Sequence, residues 1–330
     1  IDGDCKRVTG TGEILDDRST TGRRRPWRER KMENRRLVEI LEAAREQDAS
    51  VISPTRLEAV RDCASWLLFA EQEGGGRRLA KANFCRLRLC PMCAWRRSLK
   101  LFSQVSAITD AILAEKKARF IFVTFTVRNC GDSLRDTIAR MGEGFKRLTT
   151  KGKGGIKGTE AFRRSLLGYM RAVEVTYNRE RDDFHPHIHA IFEVRPSYFG
   201  AVSYLTHDDW RTMWRDVMGL DYEPQVDVRA IKTATARAVA EVAKYPVKLA
   251  GLLNIADDDT AARVLIQLKT ALHGCRLVTF GGDFREYKRR LALDDVEGGD
   301  LVHVETDSKN FNAVAYTLFR YRADAGAYIC

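Results

Sequence analysis

Three of the six histidines in this 330-residue chain stand together as His185-Pro186-His187-Ile188-His189, at the head of an apolar run. The run Ile188-His189-Ala190-Ile191-Phe192-Glu193-Val194 reads as a β-strand. In a strand, alternate side chains share a face. His187 and His189 therefore point one way, while Ile188, Ala190, Phe192 and Val194 fill the other side. Two imidazoles fixed side by side on a rigid surface make half of a divalent-metal site. The alternative is a pair of ordinary surface histidines on a strand.

A second constellation is Cys85-Arg-Leu-Arg-Leu-Cys90-Pro-Met-Cys93, with a C-x2-C pair and another cysteine five residues upstream. Thiolates at this spacing can grip a tetrahedral Zn²⁺. Cys63 is the natural fourth ligand, since Cys5 lies in a basic tail and Cys130 follows a strand. Four thiolates leave no open position, so such a zinc is structural. The alternative is a buried cluster of free thiols. With zinc, the loop would hold Arg86, Arg88, Arg96 and Arg97 as a rigid cationic surface, with Arg96 and Arg97 expected to contact DNA.

The third is Glu241-Val-Ala-Lys244-Tyr245-Pro246-Val-Lys248. On a helix, positions four apart share a face, which would bring the Glu241 carboxylate beside the Tyr245 hydroxyl with Lys248 a turn further on. Pro246 biases Tyr245 away from helical geometry, so a kink or a helix end at the tyrosine is expected. The alternative is an amphipathic helix with a surface tyrosine. A tyrosine can attack phosphorus once the cost of ionising a hydroxyl of pKa about 10 is lowered. A divalent metal or a neighbouring lysine does that, and a nearby carboxylate can act as a general base toward water.

These residues need elements to hold them. Helices are expected over 33–47, from near Trp95 through Ile112, over 133–148, 206–218 and 231–253. Strands are expected over 120–127, 168–177 and 277–280, besides the histidine strand. Asn178 to Phe184 reads as a polar turn, making 168–194 a hairpin. Val173 and Val175 face its core, which turns Glu174 toward the surface of His187 and His189. The basic loop Thr150 to Gly158 lacks the spacing of a phosphate-binding loop, so no nucleotide-hydrolysing motor is expected.

Formal charge is +11 with 44% hydrophobic and 31% charged residues, a composition that suits a globular chain. No apolar run approaches a membrane span, and the polar N-terminal stretch is unlike a signal peptide, so no membrane role is expected. The chain opens on Ile1, which leaves open whether the natural start is included. Basic residues cluster at Arg23 to Lys31, Arg77 to Lys100 and Arg140 to Arg171, whereas Asp294 to Asp307 is acidic. Repeated basic blocks suit a polyanion such as nucleic acid.

Taken in order, the cysteine–arginine block Cys85–Arg97, the strand Phe122–Asn129, His185–Ala190, Glu241–Lys248 and Arg276–Gly282 resemble plasmid rolling-circle replication initiators. These are Rep proteins of the HUH endonuclease superfamily, in the branch with one catalytic tyrosine and a partner glutamate. The resemblance covers about Cys63 to about Asp295. It implies an α+β fold, with a central antiparallel sheet carrying the HUH metal site, flanking helices and an N-terminal zinc knuckle. The chain is accordingly expected to divide into a basic arm and helix over 1–60, a zinc-binding knuckle and basic helix over 61–100, a nicking–joining core over 101–260 and a C-terminal extension of the core over 261–330.

By the same resemblance, Tyr245 would nick one strand at a double-strand origin through a 5′-phosphotyrosine, and Glu241 would activate water for the terminating cut. Lys244 and Lys248 would contact DNA. His187 and His189 would hold Mn²⁺ or Mg²⁺ with Glu174 as third ligand, and with His185, Asp182 and Asp183 as reserves. Origin DNA, both double- and single-stranded, is the implied partner in a bacterial cytoplasm. Host helicase, polymerase and single-strand-binding protein would join it, and a homodimer stays open. Two alternatives remain: a transposase or relaxase with the same chemistry, or a non-catalytic zinc-containing DNA-binding regulator.

Overall fold

Strands form in this chain where β-branched and aromatic residues run together, and helices where apolar residues recur every three or four positions. The computed structural model describes residues 12–19, 21–72, 76–130, 133–150, 159–200, 204–231, 249–304 and 313–330. The fold is α+β, with antiparallel sheets flanked by helices. It divides into two compact units, one of Ile1–Lys100, Ala256–Leu265 and Glu297–Cys330, the other of Leu101–Ile255 and Ile266–Val296. Residues 261–330, grouped above with the core, are thus shared between the units. Among the described residues, no helix is long and apolar enough to cross a membrane.

The first unit contains α1 (Trp27–Gln47), α2 (Pro54–Arg61), β1 (Trp66–Gln72), β2 (Arg77–Ala82) and the start of α3 (Pro91–Glu115). In the second unit, β3 (Arg119–Thr126), β4 (Leu166–Asn178), β5 (Asp183–Val194), β6 (Val226–Ile231) and β7 (Val278–Gly282) form a five-stranded sheet in the order β6-β3-β5-β4-β7. Each pairing is antiparallel, and the histidine strand β5 lies in the middle. The hairpin β4–β5 forms as its alternating pattern requires, over a turn in which Asp182 takes a φ of 51°.

Both faces of this sheet are apolar, for different reasons. On one face, Phe125, Val173, Ile188 and Phe192 are buried beneath α4 (Leu134–Thr149) and α6 (His207–Met218). Leu134, Ile138, Met141, Phe145 and Leu148 make the buried stripe of α4, at the spacing of an amphipathic helix. Phe145 stacks on Phe192 at 5.7 Å, and Trp214 lies 4.6 Å from Phe125. The helices cross closely at Gly144, where a Cβ would stand 2.4 Å from the Met218 sulfur. Thr206 and Asp209 cap the start of α6 reciprocally, and Gly219, at φ 64°, ends it. On the opposite face, the end carrying Phe120, Phe122, Met170 and Ile191 is buried against Leu101, Val105, Ile108 and Ile112 of α3. His187 and His189 occupy the other end of that face.

One expectation changes here, at the first residue of an expected helix. A helix was expected from residue 231, yet Val226–Ile231 is the edge strand β6, paired with β3 from Val226↔Phe125 to Ile231↔Phe120. Its alternation of Val226, Val228 and Ala230 with Asp227 and Arg229 is a strand signal that a helix-like downstream sequence masks. The rest of the expected helix up to residue 248 lies outside the described residues, and Ala250–Leu253 is helical.

The first unit holds a second sheet that the local sequence does not announce. Here β1 and β2 join β8 (Ala313–Arg322) and β9 (Ala327–Ile329) in the order β2-β1-β8-β9. Leu67, Phe69, Leu79, Thr317 and Phe319 form its buried face. Trp27 of α1 anchors on that face, edge-on to Phe69 at 6.2 Å and to Trp95 at 4.7 Å.

Candidate functional site

Antiparallel register brings the chemistry-bearing residues of the second unit together. Glu174 pairs with His187 across β4 and β5, and Thr124 of β3 pairs with His189. Directly opposed residues share a face with Cβ atoms about 5 Å apart, so the Glu174 carboxylate lies between the two rings. Its Oε2 is 3.0 Å from His189 Nε2 and 3.4 Å from His187 Nε2. Glu174 is 1% exposed and His187 7% exposed. One ligand atom from each of the three residues falls within 4.8 Å of the others.

The far nitrogens of both rings are tied down. His187 Nδ1 donates to the His185 carbonyl at 3.4 Å, which turns Nε2 toward the Glu174 carboxylate. His189 Nδ1 bonds the Thr124 hydroxyl at 3.1 Å, and Phe122 stacks on the His189 ring at 5.6 Å. Thr124 is a residue sequence reasoning missed, because its role depends on the pairing of β3 with β5.

The reserve ligands have other partners. His185 Nδ1 bonds Asn129 Oδ1 at 2.7 Å, while Asn129 donates to Asp183 at 2.9 Å. Burial holds the His185 pKa below the usual histidine value. The His185 ring packs 5.3 Å from that of His187, so it braces the pair from outside. Asp182 accepts from the Tyr177 hydroxyl at 2.7 Å, and Asp183 pairs with Arg181 at 3.2 Å. Tyr245, Glu241, Lys244 and Lys248 lie outside the described residues.

In the first unit, Cys63, Cys85, Cys90 and Cys93 converge and are all buried. Cys63 follows α2, Cys85 follows β2, Cys90 immediately precedes α3, and Cys93 lies in its first turn. Their sulfurs are separated by 3.6 Å (Cys63–Cys93), 3.7 Å (Cys85–Cys93) and 3.6 Å (Cys63–Cys90). A tetrahedron with Zn–S bonds of about 2.3 Å has edges of about 3.8 Å, so the four sulfurs fit that ion. Backbone N–H groups of Cys85, Arg86 and Leu87 donate to Cys63, Cys93 and Cys85 at 3.2–3.4 Å, as thiolates favour. Hydrogen bonds from the neighbouring thiols, Cys63 first, hold Cys85 well below the ordinary thiol range. Burial pushes Cys90 up.

A buried lysine stands beside this cluster and was also missed. Lys31 of α1 is 4% exposed and donates to the carbonyls of Cys63 at 2.7 Å and Arg61 at 3.0 Å. Asn34, one turn on, donates to Cys90 Sγ at 3.4 Å. Burial lowers the Lys31 pKa, while negative charge on Cys63 and Cys90 raises it again. Among the described residues no carboxylate pairs directly with Lys31, and Asp62 acts on it only through space. Nothing in a helical pattern marks position 31 as different from its exposed neighbours.

Arg96 and Arg97 lie inside the first unit rather than on a cationic surface. Arg96 donates to the carbonyls of Leu301 and Val302, and its guanidinium lies 5.2 Å from the centre of the Trp27 ring. Arg97 donates to the carbonyls of Glu297, Leu87 and Arg86. Both are under 5% exposed, at 4% and 3%. Their donors go to backbone oxygens that folding would otherwise bury unsatisfied.

Comparison with known proteins identifies the family. A family model described as Replication protein, Rep_1, matches residues 76–329. The chain is 37% identical over 303 residues to the Protein rep of Streptococcus pneumoniae serotype 2 (strain D39 / NCTC 7466), covering 90% of this chain and 89% of that protein. It is 34% identical over 330 residues to the Protein rep of Bacillus amyloliquefaciens, covering 93% and 94%. A protein of Staphylococcus aureus named Replication protein is 33% identical over 211 residues, covering 61% of this chain and 86% of that protein. No solved structure gives a significant match. Matched over most of its length, the chain belongs to the Rep_1 replication protein family, that of the plasmid Rep initiators.

Proposed function

We propose that this initiator starts rolling-circle replication by nicking and rejoining one strand of a plasmid double-strand origin. The observation that carries the reading is the convergence of Glu174, His187 and His189 on one sheet face. Two imidazole nitrogens and a carboxylate oxygen suit Mn²⁺ or Mg²⁺, with water completing the coordination. Bound there, the cation supplies charge stabilisation on the oxygens of the scissile phosphate. Thr124 and the His185 carbonyl keep the two rings turned toward it.

The Tyr245 hydroxyl attacks the phosphorus, and the bond from phosphorus to the 3′ oxygen breaks. That leaves a free 3′-hydroxyl to prime synthesis and a 5′-phosphate on the tyrosine. Lys244 and Lys248 offset phosphate charge near the nucleophile. After one round, Glu241 takes the proton of a water that cuts the regenerated site, and the free 3′-hydroxyl displaces Tyr245 to close the circle. The phosphotyrosine ester retains the energy of the bond it replaced, so joining needs no nucleotide triphosphate.

We further infer that Cys63, Cys85, Cys90 and Cys93 hold a structural Zn²⁺, as their separations and amide donors fit. Origin DNA is the substrate in this reading, with host helicase, polymerase and single-strand-binding protein acting on the nicked product in a bacterial cytoplasm. The test is incubation with Mn²⁺ and labelled single-stranded origin DNA. A covalent protein–DNA adduct is expected, and it should vanish in Tyr245→Phe. No adduct with any origin strand would favour a non-catalytic DNA-binding regulator.

A further inference from the structure

The four-stranded sheet of the first unit has one face buried and one half-open. Its outward residues alternate with the buried Leu67, Phe69, Leu79, Thr317 and Phe319, and strand pairing sets them in rows. Trp66 lies beside Arg320. Leu68 lies between Lys81 and Leu318, and Ala70 lies beside Tyr316. Lys81 and Arg320 are exposed, while Trp66, Leu68, Tyr316 and Leu318 are half-buried.

The charge on this face has one sign. Glu71 is the only acidic residue in the four strands, and it belongs to the inner set, bonded to Thr317 and Arg77. Among the described residues, neither Lys81 nor Arg320 pairs with a carboxylate, and neither the Trp66 nor the Tyr316 ring packs on another aromatic ring. A sheet face evolved only for solvent has no need of two large rings; one covering a protein core would not carry two exposed cations.

Rings interleaved with cations match the chemistry of a single DNA strand. Bases stack on aromatic faces whatever their sequence, and phosphates take the cations. A duplex keeps its base faces stacked on each other, so it offers the rings nothing. We propose that the open face of this sheet is a platform for single-stranded DNA, with Trp66 and Tyr316 as stacking positions and Lys81 and Arg320 as phosphate contacts. By strand geometry the two rings stand about 14 Å apart, so each takes its own base. The platform goes beyond the nicking reading and does not depend on it, since it contains none of the residues placed in that chemistry.

The test measures binding of the full chain to a fluorescein-labelled oligothymidylate of non-origin sequence, by anisotropy over a range of salt. Trp66→Ala and Tyr316→Ala should each weaken binding at least about fivefold, with Trp66→Phe close to the parent. The double variant Lys81→Glu with Arg320→Glu should lower the slope of log K against log salt by about 1.4. Its exposed positions keep the test sound if Trp66→Ala does not fold, as thermal melting would reveal. Unchanged affinity and slope in the folded charge-reversed variant would overturn the proposal. So would a loss of duplex binding with single-strand binding intact.

Discussion

Glu174 of β4 stands directly across the strand pair from His187 of β5, with its Oε2 3.4 Å from His187 Nε2 and 3.0 Å from His189 Nε2. A carboxylate that is 1% exposed would be costly without compensation. Its two neighbours are imidazoles whose other nitrogens are already bonded, so one ligand atom from each of the three residues turns toward the others. The same three residues lie at the end of the sheet face that α3 leaves to them, with the apolar packing of Phe120 and Ile191 beyond.

Thr124 sets the His189 ring through its 3.1 Å bond to Nδ1. Thr124→Val keeps the shape and removes that bond. Mn²⁺ affinity, measured by titration calorimetry, should fall about tenfold or more, and Thr124→Ser should restore it. Equal affinity in all three proteins would remove Thr124 from the site.

The cysteine cluster predicts one tightly held Zn²⁺ per chain. Cys90→Ser should abolish stoichiometric zinc in elemental analysis and lower the melting temperature by several degrees, as should a strong chelator. A parent protein that carries no zinc, with all four thiols open to alkylation in the native state, would contradict the assignment.

Lys31 should matter to that cluster through charge. Lys31→Met removes the buried ammonium beside the sulfurs while keeping most of its volume. Transfer of zinc to a chromogenic chelator should become about tenfold faster. An unaltered rate, in a variant that melts as the parent does, would show that the ammonium only satisfies the carbonyls of Arg61 and Cys63.

Phe192 supports the face of β5 opposite the histidines, stacked on Phe145 and edge-on to Phe162 at 5.1 Å. Phe192→Ala should cost about 3–5 kcal/mol in urea unfolding. A loss below about 1 kcal/mol would mean that this layer tolerates a cavity.

The β4–β5 hairpin was legible because it is local. The alternation of Val173, Glu174 and Val175, a polar turn, and the alternation from His187 to Val194 together set which residues share the face of Glu174. The four cysteines were legible from spacing and elimination. The sheet of the first unit was not, because β1 finds its partner β8 at the other end of the chain, with Glu71 paired to Ala315. Thr124 and Lys31 were hidden for the same reason, since each owes its role to a neighbour distant in sequence. Arg96 and Arg97 looked like surface charge because a sequence does not show which carbonyls need donors. The acidic segment that receives them does so through the backbone oxygens of Glu297, Leu301 and Val302.

The central claim is that Glu174, His187 and His189 hold the cation on which strand nicking depends. It is tested most directly by measuring Mn²⁺ affinity and single-strand nicking rate together in the parent chain and in Glu174→Ala. Both should fall together, each by at least about tenfold, with the fold retained by circular dichroism. Undiminished Mn²⁺ affinity and undiminished cleavage in Glu174→Ala would contradict it.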